Sequence, residues 1–152
     1  VLLLLLFVLL PQVRLTFDRE GWPDVAVVID VSGSMGTVDD VRDPAVRAKA
    51  AELARALGGA TPDRLRLARA LVARSDAADW LQRLLTERQV KVHVYAVADD
   101  TRLLGTAAEP ADLAAVRDAV AGLKADGPAS RLGDGVAAVL KSFRGGSLAA
   151  VV

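Results

Sequence analysis

Three oxygen-bearing side chains recur at every second position directly after an apolar run. The run covers residues 25–29, and the side chains are those of Asp30, Ser32 and Ser34. Gly33 keeps the segment tight, so the three oxygens can point to one side. A carboxylate and two hydroxyls are hard ligands that suit Mg²⁺, or Mn²⁺ or Ca²⁺, rather than zinc or copper. These residues therefore predict a divalent-cation site.

The predicted site is short of ligands. A cation of this class takes about six oxygen ligands, so water or a carboxylate from another molecule must complete the shell. One aspartate neutralises only part of the metal charge, which strengthens a bond to a further carboxylate. We therefore expect a protein partner that presents Asp or Glu.

The pattern Asp30-x-Ser32-x-Ser34, continued by Met35-Gly36, resembles the metal-ion-dependent adhesion site (MIDAS) of von Willebrand factor type A (vWA) domains. The resemblance implies a doubly wound sheet with Mg²⁺ at its top. It also implies protein binding rather than catalysis.

The resemblance extends to a second loop, residues 130–136, which has Ser130 where the family has a threonine. It implies Ser130 as a fourth ligand. Asp134, Gly33 and Asp99 lie close to these loops in the sequence pattern and are candidates for holding the ligands in place. A third loop of the family supplies an aspartate, which we expect beyond Val152.

Simpler interpretations of these residues stay open. Asp30 and the serines after it can form the hydrogen bonds of an ordinary polar turn. Ser130 can cap a helix over residues 131–143, and Asp134 suits the first turn of that helix. Asp99 can be a turn residue.

Catalysis by Asp30 is a weaker alternative. A phosphotransferase or phosphohydrolase with an aspartate nucleophile usually has a second aspartate two residues later, where this chain has Ser32. The chain has no phosphate-binding Gly-x-x-x-x-Gly-Lys loop. Its one histidine, His93, is expected to be packed within a strand. A third alternative is a vWA scaffold that binds no metal.

The elements that position these residues alternate between strands and helices. Val25–Ile29 and Lys91–Val97 predict buried strands, and Thr101–Leu104 a short edge strand. Alternation of this kind favours an α/β fold, a doubly wound Rossmann-like parallel sheet flanked by helices. Helices are predicted over 44–57, from Thr61-Pro62, from Ser75 or Asp76, from Pro110 and over 136–143, with a last strand at 147–152. We expect the helix at 44–57 to be an insertion.

The first ten residues form an unbroken apolar run that ends at Pro11. Ten helical residues reach only about 15 Å, half of a bilayer core. We interpret residues 1–11 as the remnant of a transmembrane helix, with a signal-peptide core or a buried strand as alternatives. Residues 12–23 are then a linker and 24–152 a vWA domain that is incomplete at its C-terminus.

Charge and cysteine content limit the partners. Lysine plus arginine and aspartate plus glutamate both number 19, so no strong overall field attracts nucleic acid. There is no cysteine, which excludes disulfides and thiolate ligands. An apolar segment ahead of such a domain also resembles bacterial membrane-anchored members of the vWA family. That resemblance implies a binding module at the inner membrane, with neither side of the membrane favoured.

Overall fold

A computed structural model describes residues 21–56, 58–59, 61–73, 75 and 79–152. The apolar segment 1–11 and most of the linker 12–23 lie outside these residues, so their predicted roles stay predictions. The elements are β1 (Asp24–Asp30), α1 (Pro44–Ala56), α2 (Arg64–Val72), α3 (Trp80–Arg88), β2 (Lys91–Val97), β3 (Thr101–Ala107), α4 (Leu113–Ala121), α5 (Leu132–Ser142) and β4 (Leu148–Val151).

The four strands form one sheet in the order β3-β2-β1-β4, with β1 inside it. Strand β1 runs parallel to β2, from the pair Asp24 and Lys91 to the pair Asp30 and Val97. It also runs parallel to β4. The prediction of an α/β fold with a mostly parallel sheet flanked by helices is confirmed.

Strand β3 differs from the prediction in length and direction. It extends to Ala107 and pairs antiparallel with β2. The three residues between β2 and β3 are too few for the crossover that a parallel pair requires, so the chain must turn straight back. The sequence prediction ended this strand three residues too early.

Alternate residues of the central strands face two separate apolar layers. Val25, Val27 and Ile29 of β1 pack in one cluster with Leu65, Leu81 and Leu113 from α2, α3 and α4. On the opposite face, Ala26 of β1 and Tyr95 of β2 pack with Val139 of α5. Helices therefore cover both faces, three against the first and α5 against the second.

Two helices begin later than predicted because an aspartate nearer to the apolar pattern caps them. The carboxylate of Asp63 accepts the amide of Arg66 at 2.8 Å, so α2 starts after Asp63 rather than at Thr61-Pro62. Asp79 accepts the amide of Gln82 at 3.0 Å and caps α3, in place of the predicted Ser75 or Asp76. Asp79 also forms a buried ion pair with Arg117 of α4.

Two further boundaries differ by a few residues. The segment Pro110–Asp112 is a 3₁₀ turn, and α4 begins only at Leu113. Helix α5 begins at Leu132, four residues before the predicted start at Val136. Helix α1 has one buried residue among those described, Ala54. Whether residues 44–57 are an insertion stays a prediction.

Helix α5 lies close to the sheet because it has glycine at one contact. A Cβ on Gly135 would come within 2.8 Å of Cγ2 of Val97, and nearer still to Cγ1. Gly133, on the same helix, has no atom within 4 Å of the equivalent position. Gly133 can therefore serve as the control position for a substitution at Gly135, since both lie in the same helix.

We predict that Gly135→Ala lowers the free energy of unfolding by about 1–3 kcal/mol, the usual cost of overpacking. Gly133→Ala should instead leave it unchanged or raise it by up to about 1 kcal/mol, because alanine favours a helix. Urea denaturation followed by circular dichroism measures both. Equal effects of the two substitutions would contradict the close contact with Val97.

Candidate metal centre

The first predicted loop folds directly onto the end of β1. The backbone of Val31 continues the pairing with β2 through its amide, which donates to the carbonyl of Val97 at 2.9 Å. The carboxylate of Asp30 then accepts the amide of Ser32 at 2.7 Å through Oδ1. A 3₁₀ turn over Gly33–Gly36 follows. The polar turn expected as the simpler interpretation is thus present.

The two serines of this loop stand side by side. Their hydroxyl oxygens, in Ser32 and Ser34, lie 3.1 Å apart. Ser32 is only 3% exposed, whereas Ser34 is exposed. One hydroxyl therefore lies at the base of the site and the other at its open rim.

Ser130 reaches the same site from far along the chain. Its hydroxyl donates to Oδ2 of Asp30 at 2.7 Å, across a sequence separation of 100 residues. The simpler interpretation of Ser130 as a helix cap is wrong, because Arg131 occupies the cap position of α5. All four predicted ligands thus lie in one cluster at the C-terminal end of β1.

Backbone hydrogen bonds hold the two loops together. Gly127 donates its amide to the carbonyl of Val31 at 3.1 Å and accepts the amide of Gly33 at 2.9 Å. The amide of Arg131 donates to the carbonyl of Ala98, just after β2, at 2.8 Å. Ser130 is therefore positioned from both sides by main-chain contacts, which do not depend on its own side chain.

Gly127 is a residue of the candidate site that the sequence did not predict. A Cβ there would lie 3.1 Å from the carbonyl oxygen of Val31 and 3.3 Å from Cα of Ser32, and would collide with the side chain of Ala98. The dipeptide Gly127-Pro128 is a turn signal in the sequence, but it does not indicate which backbone lies beside it. Gly127 lets the second loop approach the first.

The predicted supporting residues differ in their hydrogen bonds to the two loops. Gly33 connects the two loops through its hydrogen bond to Gly127. Asp134 lies in the exposed first turn of α5, and Asp99 is exposed in the turn after β2. Within the described part of the chain, neither carboxylate forms a hydrogen bond with the four-residue cluster.

The surroundings of Asp30 favour its charged form. Partial burial opposes ionisation, but hydrogen bonds from the Ser32 amide and from the hydroxyls of Ser130 and Ser32 outweigh it and lower the pKa of Asp30. Asp30 is therefore an anion at neutral pH. A cation at this position meets a formal negative charge rather than a neutral acid.

The donor set fits a hard divalent cation. It contains one carboxylate and three hydroxyls, all oxygen ligands, and two of its residues, Ser34 and Ser130, are exposed. The described residues contain no group of three or more His, Cys, Asp or Glu that could hold a metal. The four ligands Asp30, Ser32, Ser34 and Ser130 therefore leave coordination positions for water or for a carboxylate of another molecule.

Comparisons with known proteins give one structural likeness and no family. No protein-family model and no curated protein matches the chain. The chain is similar to the crystal structure of an uncharacterized membrane spanning protein from Vibrio fischeri, at 20% identity and a TM-score of 0.49. The match covers 78% of this chain and 48% of that one, so this chain spans about half of its length. This likeness assigns no function.

Among the described residues, no helix has both the length and the hydropathy that a membrane span requires. The apolar segment 1–11 lies outside them.

We predict that Ser130→Ala raises the pKa of Asp30 in metal-free protein, because the carboxylate loses a hydrogen bond that favours its charged form. Ser130→Thr keeps the hydroxyl and should leave the value close to that of the wild type. Carboxyl ¹³C chemical shifts followed over a pH titration in EDTA measure the change. An unchanged titration in Ser130→Ala would show that the bond to Asp30 does not form in solution.

The same shift predicts how stability depends on pH. The folded pKa of Asp30 is lowered, so its contribution to the free energy of unfolding is complete above the ordinary carboxyl value. That contribution is lost as the pH falls through the lower, folded value. The acid limb of the stability curve should therefore be shallower in Asp30→Asn, as measured by denaturation at a series of pH values.

Proposed function

We propose that residues 24–152 form a vWA-type binding module in which Asp30, Ser32, Ser34 and Ser130 hold Mg²⁺, or Mn²⁺ or Ca²⁺. The single observation that carries the proposal is the bond from the Ser130 hydroxyl to Asp30, at 2.7 Å. It unites two loops that are 100 residues apart into one cluster of hard oxygen ligands. Both the resemblance and the donor chemistry favour the same group of cations.

The bound cation would supply an attraction for a further carboxylate. A divalent ion bound to one aspartate keeps a net positive charge, because the three hydroxyl ligands are neutral. The exposed side of the cluster, at Ser34 and Ser130, is where a protein partner's Asp or Glu would complete the shell.

We further propose that the module is anchored to a bacterial membrane, as an inner-membrane protein, through the apolar segment 1–11. The support is the unbroken apolar run itself, which precedes the domain by a linker of 12 residues, 12–23. The proposed function is binding rather than catalysis.

A metal-free scaffold is the second candidate, and one observation favours it. Both carboxylate oxygens of Asp30 already have hydrogen-bond donors, Ser32 N on Oδ1 and the Ser130 hydroxyl on Oδ2. A carboxylate satisfied in this way needs no cation to offset its burial. The two candidates differ in whether the Ser130 hydroxyl turns from Asp30 to a metal.

We predict that titration of Mn²⁺ into the 152-residue chain gives saturable binding with a Kd of about 10⁻⁴ to 10⁻³ M, the range of weak calcium sites, because affinity falls with the number of charged ligands and this cluster has one. Asp30→Asn should abolish that binding because it removes the only charged ligand of the cluster. Asp99→Asn and Asp134→Asn are matched controls, since neither carboxylate forms a hydrogen bond with the cluster, and both should bind as the wild type does.

Isothermal titration calorimetry measures the affinity, and circular dichroism verifies that each variant is folded. An absence of saturable heat in the wild type would favour the metal-free scaffold. Equal binding by Asp30→Asn and the wild type would place the cation elsewhere.

Capture of a carboxylate has its own test. Peptides that contain a single Asp or Glu should bind in Mg²⁺ and dissociate in EDTA, while the matched Asn and Gln peptides bind in neither condition. Fluorescence anisotropy of labelled peptides measures the difference. Binding that survives EDTA would show that the partner is held without the metal.

A further inference from the structure

A second polar cluster lies on the opposite face of the sheet from the larger apolar layer. It contains Asp24 of β1, His93 of β2 and Thr106 of β3, one residue from each of three neighbouring strands. Oδ1 of Asp24 lies 2.8 Å from Nε2 of His93, and Oγ1 of Thr106 lies 3.0 Å from Nδ1. The three side chains therefore form a continuous chain of hydrogen bonds from carboxylate to imidazole to hydroxyl.

The chemistry of the groups fixes the direction of these hydrogen bonds. An ionised carboxylate only accepts hydrogen bonds, so Nε2 of His93 carries the proton that it donates to Asp24. In a neutral imidazole the other nitrogen is then an acceptor, and Thr106 must donate its hydroxyl proton to Nδ1. The hydroxyl oxygen of Thr106 thus lies next to a base that can take its proton.

Burial is graded along the chain of hydrogen bonds. The side chains of Asp24 and His93 are each 17% exposed, whereas Thr106 is exposed. The ring of Phe143 packs edge-on against the imidazole, with centroids 4.9 Å apart and an interplanar angle of 79°. Asp24 and Phe143 therefore hold the imidazole of His93 in place, while Thr106, the last residue of the hydrogen-bonded series, is accessible to reagents in solution.

We propose that Thr106 is a nucleophile toward activated acyl donors, with His93 as its general base and Asp24 as the positioning residue. A hydroxyl within reach of a base that a third group orients is the arrangement that activates a serine or threonine nucleophile. In the serine-protease triad Nδ1 bonds the carboxylate and Nε2 bonds the hydroxyl, and here the two nitrogens are interchanged. One nitrogen still bonds the carboxylate and the other still bonds the hydroxyl.

The proposed step is an acyl transfer to the protein. Oγ1 of Thr106 forms a bond to the carbonyl carbon of the donor while its proton moves to Nδ1 of His93. The bond from that carbon to the leaving group then breaks, and the leaving group or water takes the proton from His93. The products are an ester on Thr106 and the free leaving group, and no oxidant or reductant is consumed.

The substrate class follows from the same geometry. Aryl esters, thioesters and acyl phosphates have leaving groups that depart without being protonated first, so one base is sufficient for the reaction. The cluster is also independent of the proposed metal centre. Asp24 and Asp30 are at opposite ends of β1, and six strand residues span about 20 Å. Chelation should therefore leave the reaction unchanged.

The test is acylation of the whole 152-residue chain by p-nitrophenyl acetate in EDTA, followed by peptide mass spectrometry. Thr37 is exposed, lies outside this cluster and serves as the internal reference. General-base catalysis typically contributes about 10²–10⁴-fold, so Thr106 should be acetylated at least about 100-fold faster than Thr37. Equal rates at the two threonines would overturn the proposal.

Variants separate nucleophile, base and positioning residue. Thr106→Ser should keep the reactivity and Thr106→Val should abolish the adduct at this position. His93→Gln should lower the rate at Thr106 to that of Thr37, and Asp24→Asn should lower it in part. Reaction in His93→Gln as fast as in the wild type would overturn the role of the base. If that variant does not fold, a rate at Thr106 in Asp24→Asn equal to that of the wild type would overturn the proposal, because it would show that an oriented imidazole is not needed.

Discussion

The pairing of β1 with a strand on each side is the constraint on which the rest of this structure depends. Because β2 and β4 both run parallel to β1, its side chains alternate between two buried layers and its polar residues can occur only at the two ends. Asp30 marks one end and Asp24 the other. Each of these carboxylates forms hydrogen bonds with hydroxyl or imidazole groups of neighbouring strands or loops.

Local sequence predicted the elements best where one signal was unopposed. Strand β2 has the predicted bounds, because β-branched residues alternate between two turn signals. Helices α2 and α3 begin later than predicted, after the caps Asp63 and Asp79, and several residues in each region are of types that suit a cap. The length of β3 depends on its partner strand, which periodicity within β3 itself does not specify.

For the candidate metal centre, the sequence predicted the residues but not what brings them together. Asp30, Ser32 and Ser34 are visible as a local pattern, and the resemblance to vWA domains suggested Ser130. The importance of Gly127 depends on which backbone lies beside it, information that no single segment contains. The cluster of Asp24, His93 and Thr106 was missed for the same reason, since it requires the register of three strands.

The hydrogen bond between Ser130 and Asp30 also bears on the order in which the chain folds. It closes a loop of 100 residues, and contacts of such long sequence separation form slowly because the entropy of loop closure must be overcome first. The cluster therefore exists only in chains in which the two loops have met. Whatever binds there stabilises the folded state relative to the unfolded one.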